Sequence, residues 1–196
     1  MPQTIIKQYV TYTVNELSPD ALDRAHIDHL NAGDFYHWTE ENRDTLKAFE
    51  EIFPVKIKDW EYGDHNFISW TLTAEPELED LRGPRLAAWL YNNFKQYLYK
   101  PRRFYLSKKH RDSRIMLDNC CVLTGYCIDD DILEPVYKFI DRPDNHQGLY
   151  DIISDCLESW LTACRQDYED DQSIEAFIAN AEANEWTFTE DGGFFS

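Results

Sequence analysis

The sequence predicts an α+β fold, in which several helices cover a small antiparallel sheet and a long amphipathic helix lies near the C-terminus. Stretches with apolar residues at helical spacing are interspersed with short stretches in which apolar and polar residues alternate, as in half-buried strands. Aromatic residues make up 15% of the 196 residues, whereas disordered acidic chains contain few of them. We therefore expect one folded α+β domain, residues 1–196, that is long enough to bury a substantial core.

A strand followed by a helix is expected first. Apolar and polar residues alternate over residues 4–15, with Val10 on the apolar face. Ser18 is a favourable N-cap and Pro19 suits the first helical position, so a helix should begin there. Gly33 has the conformational freedom that a left-handed helix end requires, and it should end this helix.

A second helix and a hairpin should follow. Thr39 is a candidate N-cap for the helix, and Pro54 should end it, because the residue before a proline disfavours helical backbone. Residues 55–73 contain two alternating runs separated by Gly63 and Asp64, a pair typical of a tight turn between antiparallel strands. These two strands form the small sheet of the predicted fold.

Five more elements complete the predicted order. A helix is expected over residues 85–99, and a short helix should start at Asp129. The longest helix is expected over residues 147–169, where apolar residues recur at helical spacing. A last helix near residues 173–183 and a small hairpin around Gly192 should follow.

Charge is distributed unevenly along the chain, which carries a formal net charge of −18. Residues 1–81 contain 6 bases and 17 acids, residues 82–117 contain 10 bases and 1 acid, and residues 118–196 contain 3 bases and 19 acids. The net charges are therefore −11, +9 and −16, and these ranges are a candidate sub-division of the domain. Separate fields of opposite sign indicate charged partners or self-association.

The remaining composition favours a protein of the cytoplasm. No apolar run approaches the ~20 residues that cross a bilayer, and the first residues lack the charged start and apolar stretch of a signal peptide. Five cysteines are an odd number without regular spacing. Such a pattern is more typical of free thiols in a reducing compartment than of a disulfide framework.

Histidines and cysteines provide weak candidates for a catalytic or metal site. His26 and His29 are three residues apart on a helix, but no further ligand completes a zinc motif. Adjacent Cys120 and Cys121 would point in opposite directions on a strand, and Cys127 precedes aspartates whose charge suppresses nucleophilicity. We therefore expect buried structural cysteines, no metal and no cofactor. A small hydrolase or metal protein is kept as an alternative.

The long helix near the C-terminus has an apolar and an acidic side. Cys156 and Cys164 belong to the apolar side and are expected in the core. A helix of ~23 residues is as long as about ten base pairs of duplex, so its carboxylates would resemble phosphates and fit the cationic groove of a nucleic-acid-binding protein. The alternative is a solvated helix face without a partner. The predicted partner-binding residues are Asp151, Asp155, Glu158, Asp167, Glu169, Asp170 and Asp171.

A basic, aromatic island at residues 95–114 interrupts the acidic chain. It contains eight lysines and arginines against one acid, and interleaved aromatic residues are typical of nucleic-acid-binding surfaces. The flanking ranges total −27 and would repel phosphates, so we expect the island to meet the chain's own acids or a second copy in a homodimer. The residues assigned to self-association or nucleic-acid contact are Arg102, Arg103, Lys108, Lys109 and Arg111.

Four stretches resemble a family of uncharacterised accessory proteins from phages and other mobile elements. They are YTVNELSPDALDRA, LKAFEEIFPVKIKDWEYG, CVLTGYCIDDDILEPVYKFI and the terminal FTEDGGFF. The resemblance covers most of the chain and implies no catalytic residue. It implies a small accessory protein acting in the cytoplasm of a bacterial host, where acidic proteins of this origin resemble anti-CRISPR and antirestriction inhibitors of host defence.

Together these features favour a non-enzymatic, acidic, phage-type accessory protein that binds and inhibits a host nucleic-acid-handling defence complex by nucleic-acid mimicry. The expected partner is a host nucleic-acid-binding protein or nuclease complex, and no membrane contact is expected. The leading alternative is a nucleic-acid-binding regulator that uses the basic island. Direct nucleic-acid binding is disfavoured by the charge of the flanking ranges.

Overall fold

The structure, a computed structural model, describes residues 8–33, 38–99 and 120–195. These residues confirm the α+β fold. Helices predominate among them, and their strands form two small antiparallel hairpins. The small antiparallel sheet and the C-terminal hairpin that the sequence predicts are two separate two-stranded sheets within the described part of the chain.

The chain divides into two compact units. Residues 1–37 and 167–196 form the first, here termed the terminal unit, and residues 38–166 form the second, the central unit. These boundaries do not coincide with the three ranges of different net charge. Each unit has its own cluster of buried apolar side chains.

The first helix, α1 (Pro19–Ala32), begins and ends where the sequence predicts. The Ser18 side chain accepts a hydrogen bond from the backbone N–H of Ala21 at 3.3 Å, which satisfies one of the unpaired amides at the helix start. Gly33 follows the helix with a φ of 69°, a conformation that residues with a side chain rarely adopt.

The strand predicted over residues 4–15 is wrong for the described part of that range. Tyr12 forms only an isolated bridge with Phe188, through two backbone hydrogen bonds of 2.9 and 2.8 Å. The chain then turns into a short 3-10 helix, Val14–Glu16. Val10, which was expected on the apolar face, is 75% exposed. One bridge fixes the position of this segment without forming a ladder.

The terminal unit is completed by a helix, α7 (Ile174–Ala183), and a hairpin of β3 (Thr187–Phe188) and β4 (Phe194–Phe195). The hairpin predicted around Gly192 is confirmed. A Cβ atom added to Gly192 would lie 2.1 Å from the carbonyl oxygen of Ala21, so only glycine allows the turn to approach α1 this closely. The buried apolar residues of this unit are Val14, Ala25, Phe177, Ala181 and Phe188.

The central unit begins with α2 (Thr39–Ile52). The sequence predicts Thr39 as the N-cap, but Thr39 is the first residue of the helix. The N-cap is Trp38, which has a φ of 50° and no capping side-chain hydrogen bond. The helix ends before Pro54, as the proline predicts.

The predicted hairpin of the central unit is confirmed as β1 (Val55–Glu61) and β2 (Phe67–Leu72). The two strands are antiparallel, and the turn between them contains Gly63 with a φ of 105°. The register shifts between Ile57 and Asp59. A β-bulge of this kind bends a strand and increases its twist.

Four helices complete the central unit. They are α3 (Pro76–Glu79), α4 (Gly83–Leu98), α5 (Ile128–Asp141) and α6 (Leu149–Asp171). The sequence analysis did not predict α3. The helix expected to be short, α5, has 14 residues and contains Pro135.

The longest described helix is α6, as predicted, with 23 residues. It passes from the central unit into the terminal unit at residue 167. Cys156 and Cys164 are buried on its apolar side, which confirms that prediction. Trp160 is also fully buried, and the rings of Trp60 and Tyr62 approach its indole nearly edge-on at 5.3 and 6.0 Å. Aromatic packing of this kind anchors the helix in the core.

Candidate functional site

Three carboxylates of the central unit lie on one exposed face of α6. Asp151, Asp155 and Glu158 are exposed, whereas Ile152 and Cys156 between them are buried. The three acidic positions follow i, i+4 and i+7 spacing, which places side chains on one side of a helix. These three residues are here termed the α6 acidic face. The structure places them where the sequence predicted, on the polar side of the helix.

Two of these carboxylates have local hydrogen-bond partners. Asp151 Oδ2 accepts a bond from the N–H of Gly148 at 2.7 Å, which satisfies an amide at the start of the helix. Asp155 Oδ2 accepts a bond from Nε2 of Gln147 at 3.2 Å. No lysine or arginine of the described residues forms an ion pair with the α6 acidic face.

Partial burial and like charges both disfavour the ionised form of Asp155 on the α6 acidic face. Partial burial, followed by the nearby charges of Glu158 and Asp151, raises the pKa of Asp155 above its ordinary value. A raised carboxyl pKa means that the folded state binds the proton more tightly than the unfolded state does. The ionised form of Asp155 therefore lowers the stability of the folded chain at neutral pH.

The substitution Asp155→Asn is expected to leave the melting temperature at pH 7 unchanged or slightly higher. The asparagine oxygen can still accept the hydrogen bond from Gln147, and removing a like charge at helical spacing gains about 0.2–0.5 kcal/mol. Since the folded pKa of Asp155 is raised, the gain is complete above that pKa. It disappears once the pH falls below the ordinary aspartate range, where both states are protonated.

Thermal unfolding at several pH values and low salt measures this gain. Asp155→Asn serves as its own control at acidic pH, where its melting temperature should equal that of the wild type. A melting temperature several degrees lower at pH 7 would show that the Asp155 charge stabilises the fold and would contradict the repulsion described above.

The other four predicted partner-binding residues lie in the terminal unit, at the end of α6. Asp167, Glu169 and Asp170 are exposed and Asp171 is half-buried. Partial desolvation, followed by the charges of Asp171 and Asp170, raises the pKa of Asp167. These four residues are here termed the α6 end cluster. The seven predicted residues thus fall into two groups in different units, and each group is a separate candidate site.

Acidic side chains dominate the part of the chain that the structure describes. Residues 8–33, 38–99 and 120–195 contain 34 acids and 11 bases, a net charge of −23. Most of the basic island lies outside these ranges, so its assignment to self-association or nucleic-acid contact stays a prediction. The assigned residues outside the described part are Arg102, Arg103, Lys108, Lys109 and Arg111.

The histidines of α1 pack against aromatic rings. His26 Nε2 lies 2.9 Å from the carbonyl oxygen of Gln172, and its ring centroid is 5.5 Å from that of Phe177. The His29 ring lies 5.3 Å from the rings of both Phe177 and Trp186. Neither histidine belongs to a group of three or more metal-ligating side chains among the described residues. Their contacts indicate a packing role in the terminal unit.

Two thiols and a carboxylate converge before α5, in the central unit. One ligand atom each of Cys120, Cys121 and Asp130 lies within 4.8 Å of the other two. Cys120 and Cys127 are exposed and Cys121 is half-buried, so the prediction of buried structural cysteines is wrong for these three. The expected divergence of the adjacent thiols is also wrong, because this segment is not a strand and Cys121 has a φ of 53°.

The buried carboxylate of Asp129 holds the loop between Cys121 and Cys127 in one conformation. Asp129 is 0% exposed, and its Oδ2 accepts hydrogen bonds from three consecutive backbone N–H groups. They belong to Leu123, Thr124 and Gly125, at 2.9, 2.7 and 3.0 Å. The hydroxyls of Thr124 and Thr45 donate to Oδ1 at 2.7 and 2.9 Å. Such a set of donors offsets the cost of burying a polar group and fixes the loop conformation.

The thiol of Cys121 is a poor nucleophile at neutral pH. Partial burial, followed by the Asp130 carboxylate and the neighbouring thiols of Cys120 and Cys127, raises the pKa of Cys121 to about 12. The thiolate is the reactive form of cysteine, so the Cys121 thiol is not activated as a nucleophile. The three side chains whose ligand atoms converge, Cys120, Cys121 and Asp130, are here termed the thiol cluster.

Sequence reasoning missed both the loop held by Asp129 and the thiol cluster. The available signal was Thr124-Gly125 followed by an aspartate at the start of a helix. Threonine and glycine are typical of a tight turn, and a carboxylate there can accept the exposed amides. The convergence of Cys120 and Cys121 has no such signal, since it depends on the positive φ of Cys121.

Comparisons with known proteins give no relative from which a function could be transferred. No family model, no curated protein and no solved structure matches this chain. Among the described residues, every helix is too short or too polar to traverse a bilayer.

Proposed function

We propose that this chain is a non-enzymatic binding protein whose α6 acidic face occupies a cationic, nucleic-acid-binding groove of a partner protein. The partner is a host nucleic-acid-binding protein or nuclease complex with a role in defence, and the carboxylates inhibit it by taking the place of phosphates. In this proposal the chain is an accessory protein of phage type that acts in the cytoplasm of a bacterial host.

The observation that carries the proposal is an exposed set of carboxylates that no cation of residues 8–33, 38–99 or 120–195 balances. Asp151, Asp155 and Glu158 are exposed, and no ion pair within the described residues neutralises them. A helix face that is merely solvated gains stability when charges of opposite sign alternate along it. On this face, partial burial and the neighbouring carboxylates instead disfavour the ionised form of Asp155, and a charge kept at a cost in stability is typical of surfaces kept for binding.

The α6 acidic face carries negative charges in a row, as a nucleic-acid strand does. From Asp151 to Glu158 the helix rises ~10.5 Å, at about 1.5 Å per residue, so the three carboxylates are on average ~5 Å apart along the axis. A DNA strand carries one phosphate per ~3.4 Å of helix axis, so the carboxylates are spaced more widely than the phosphates. A groove lined with lysines and arginines would therefore meet charges of the same sign at a somewhat lower density.

Electrostatic recognition of this kind makes association dependent on salt. Complementary fields accelerate the encounter of two proteins, and this steering weakens as ionic strength rises. The Debye length falls from about 10 Å at 0.1 M salt to about 3 Å at 1 M. A complex held by the α6 acidic face should therefore dissociate at high salt, whereas a complex held by apolar contacts should persist.

Capture of a partner from nuclease-treated bacterial lysate tests the proposal. We expect the immobilised chain to retain a nucleic-acid-binding protein at about 0.05 M salt and to release most of it near 1 M, because the Debye length shortens severalfold between them. Nuclease treatment removes nucleic acid that would bridge the two proteins. The proposal is contradicted if no nucleic-acid-binding protein is retained, or if salt leaves the retained amount unchanged.

A further inference from the structure

We propose that the thiol cluster, Cys120, Cys121 and Asp130, is a zinc site at the start of α5. Zinc in proteins is held in a tetrahedron by cysteine sulfur, histidine nitrogen and carboxylate oxygen, and sites with three protein ligands hold a water molecule in the fourth position. The cluster offers two sulfur atoms and one carboxylate oxygen. This site is independent of the α6 acidic face.

The distances within the cluster suit a tetrahedral ion. Zn–S bonds of about 2.3 Å and Zn–O bonds of about 2.1 Å place neighbouring ligand atoms roughly 3.5–3.8 Å apart. The ligand atoms of Cys120, Cys121 and Asp130 already lie within 4.8 Å of one another. Side-chain rotations that move these atoms by about 1 Å would bring them to the separation that a zinc ion requires.

The backbone around the cluster is held in place without a metal. Asp130 Oδ1 accepts the N–H of Cys121 at 2.8 Å, and no hydrogen bond to its Oδ2 is formed within the described residues. One oxygen therefore orients the carboxylate while the other remains for the ion. Asp129 fixes the loop between Cys121 and Cys127 through its five hydrogen bonds, and such surrounding contacts orient metal ligands.

Packing does not explain these cysteines. Cysteine is among the most frequently buried residue types, and buried cysteine acts as a small apolar side chain. Cys156 and Cys164 have that role in the core of the central unit. Cys120 is exposed and Cys121 is half-buried, and neither forms a disulfide. A shared ion accounts for thiols that are accessible and that also converge with a carboxylate.

Metal titration of the reduced, EDTA-treated full chain tests the site. We expect one Co²⁺ per chain with a thiolate charge-transfer absorption band, and displacement of that Co²⁺ by one Zn²⁺. Zn²⁺ at about a hundredfold above its dissociation constant should raise the melting temperature by about 5–10 °C. Cys121→Ser and Asp130→Asn should each weaken Zn²⁺ binding at least tenfold. Asp131→Asn, in the same turn of α5, should bind as the wild type does.

The variants are chosen so that loss of folding cannot be mistaken for loss of a ligand. The Asp130→Asn oxygen can still accept the N–H of Cys121, and circular dichroism of each metal-free variant reports whether it folds. A reduced wild-type chain with neither a Co²⁺ charge-transfer band nor a Zn²⁺-dependent melting temperature would overturn the proposal. Equal Zn²⁺ affinity of the wild type, Cys121→Ser and Asp130→Asn would also overturn it.

Discussion

Replacement of Asp129 by alanine is expected to lower the free energy of unfolding by about 3–5 kcal/mol. The side chain is fully buried and accepts five hydrogen bonds, three of them from consecutive backbone amides. Each partly buried donor that loses its acceptor costs about 1–3 kcal/mol, and water that enters the loop recovers part of this. Equilibrium denaturation by urea, followed by far-UV circular dichroism, measures the change.

Two further variants separate the role of the hydrogen bonds from that of the charge. Asp129→Asn keeps an oxygen for the amides, so its loss should be smaller than that of Asp129→Ala. Asp131→Ala, at an exposed position of the same turn, should change stability by no more than about 0.5 kcal/mol. If Asp129→Ala were as stable as Asp131→Ala, the five hydrogen bonds would not determine the loop.

The double substitution Asp155→Asn/Glu158→Gln is expected to weaken partner binding at least tenfold without lowering the melting temperature. A close pair of opposite charges across an interface contributes about 1.5 kcal/mol or more to the binding free energy. Because about 1.4 kcal/mol corresponds to a factor of ten in affinity, loss of one such pair weakens binding about tenfold. The substitution also removes repulsion with Asp151, so stability should be unchanged or higher. Affinity for the captured partner and the melting temperature are measured on the same preparations.

A matched control removes two charges elsewhere in the central unit. Glu51 and Glu77 are exposed, so Glu51→Gln/Glu77→Gln changes net charge equally and should retain nearly full affinity. Asp151 stays intact in both variants, because it accepts the N–H of Gly148 at the helix start. Equal affinity of the two double variants would show that only net charge matters and would remove the role of the α6 acidic face.

Helices such as α1 and α6 could be predicted because local signals determine where they lie. The Ser18 side chain caps the start of α1, and Gly33 adopts the left-handed conformation that ends it. The apolar side of α6 is periodic over its whole length, so Cys156 and Cys164 could be placed in the core. Exposure of the α6 acidic face follows from the same periodicity.

A strand is predicted over residues 4–15, but the described part of that range forms only one bridge, because strand pairing depends on a distant segment. Alternation over residues 4–15 is equally compatible with a ladder and with the single bridge that Tyr12 forms. Glu16 also competes, since its carboxylate accepts the N–H and the hydroxyl of Thr13 at 2.8 and 2.9 Å. These bonds favour the 3-10 turn over continued extension.

The terminal stretch FTEDG has a structural explanation. In the terminal FTEDG motif, Thr189 Oγ1 donates to Asp191 at 2.6 Å, and Asp191 also pairs with Arg24 of α1 at 2.7 Å. The hydrogen bond from Thr189, followed by the charge of Arg24, lowers the pKa of Asp191. Gly192 then allows close approach to α1. These contacts stabilise the hairpin of the terminal unit against α1.

Competition with duplex DNA for the captured partner tests the mimicry claim most directly. If carboxylates of the α6 acidic face take the place of phosphates, the chain and the DNA cannot bind together. Fluorescence anisotropy of labelled duplex should show complete displacement by the wild-type chain, with at least tenfold more Asp155→Asn/Glu158→Gln needed for the same effect. A stable complex of partner, duplex and chain, or equal displacement by the double variant, would contradict the account.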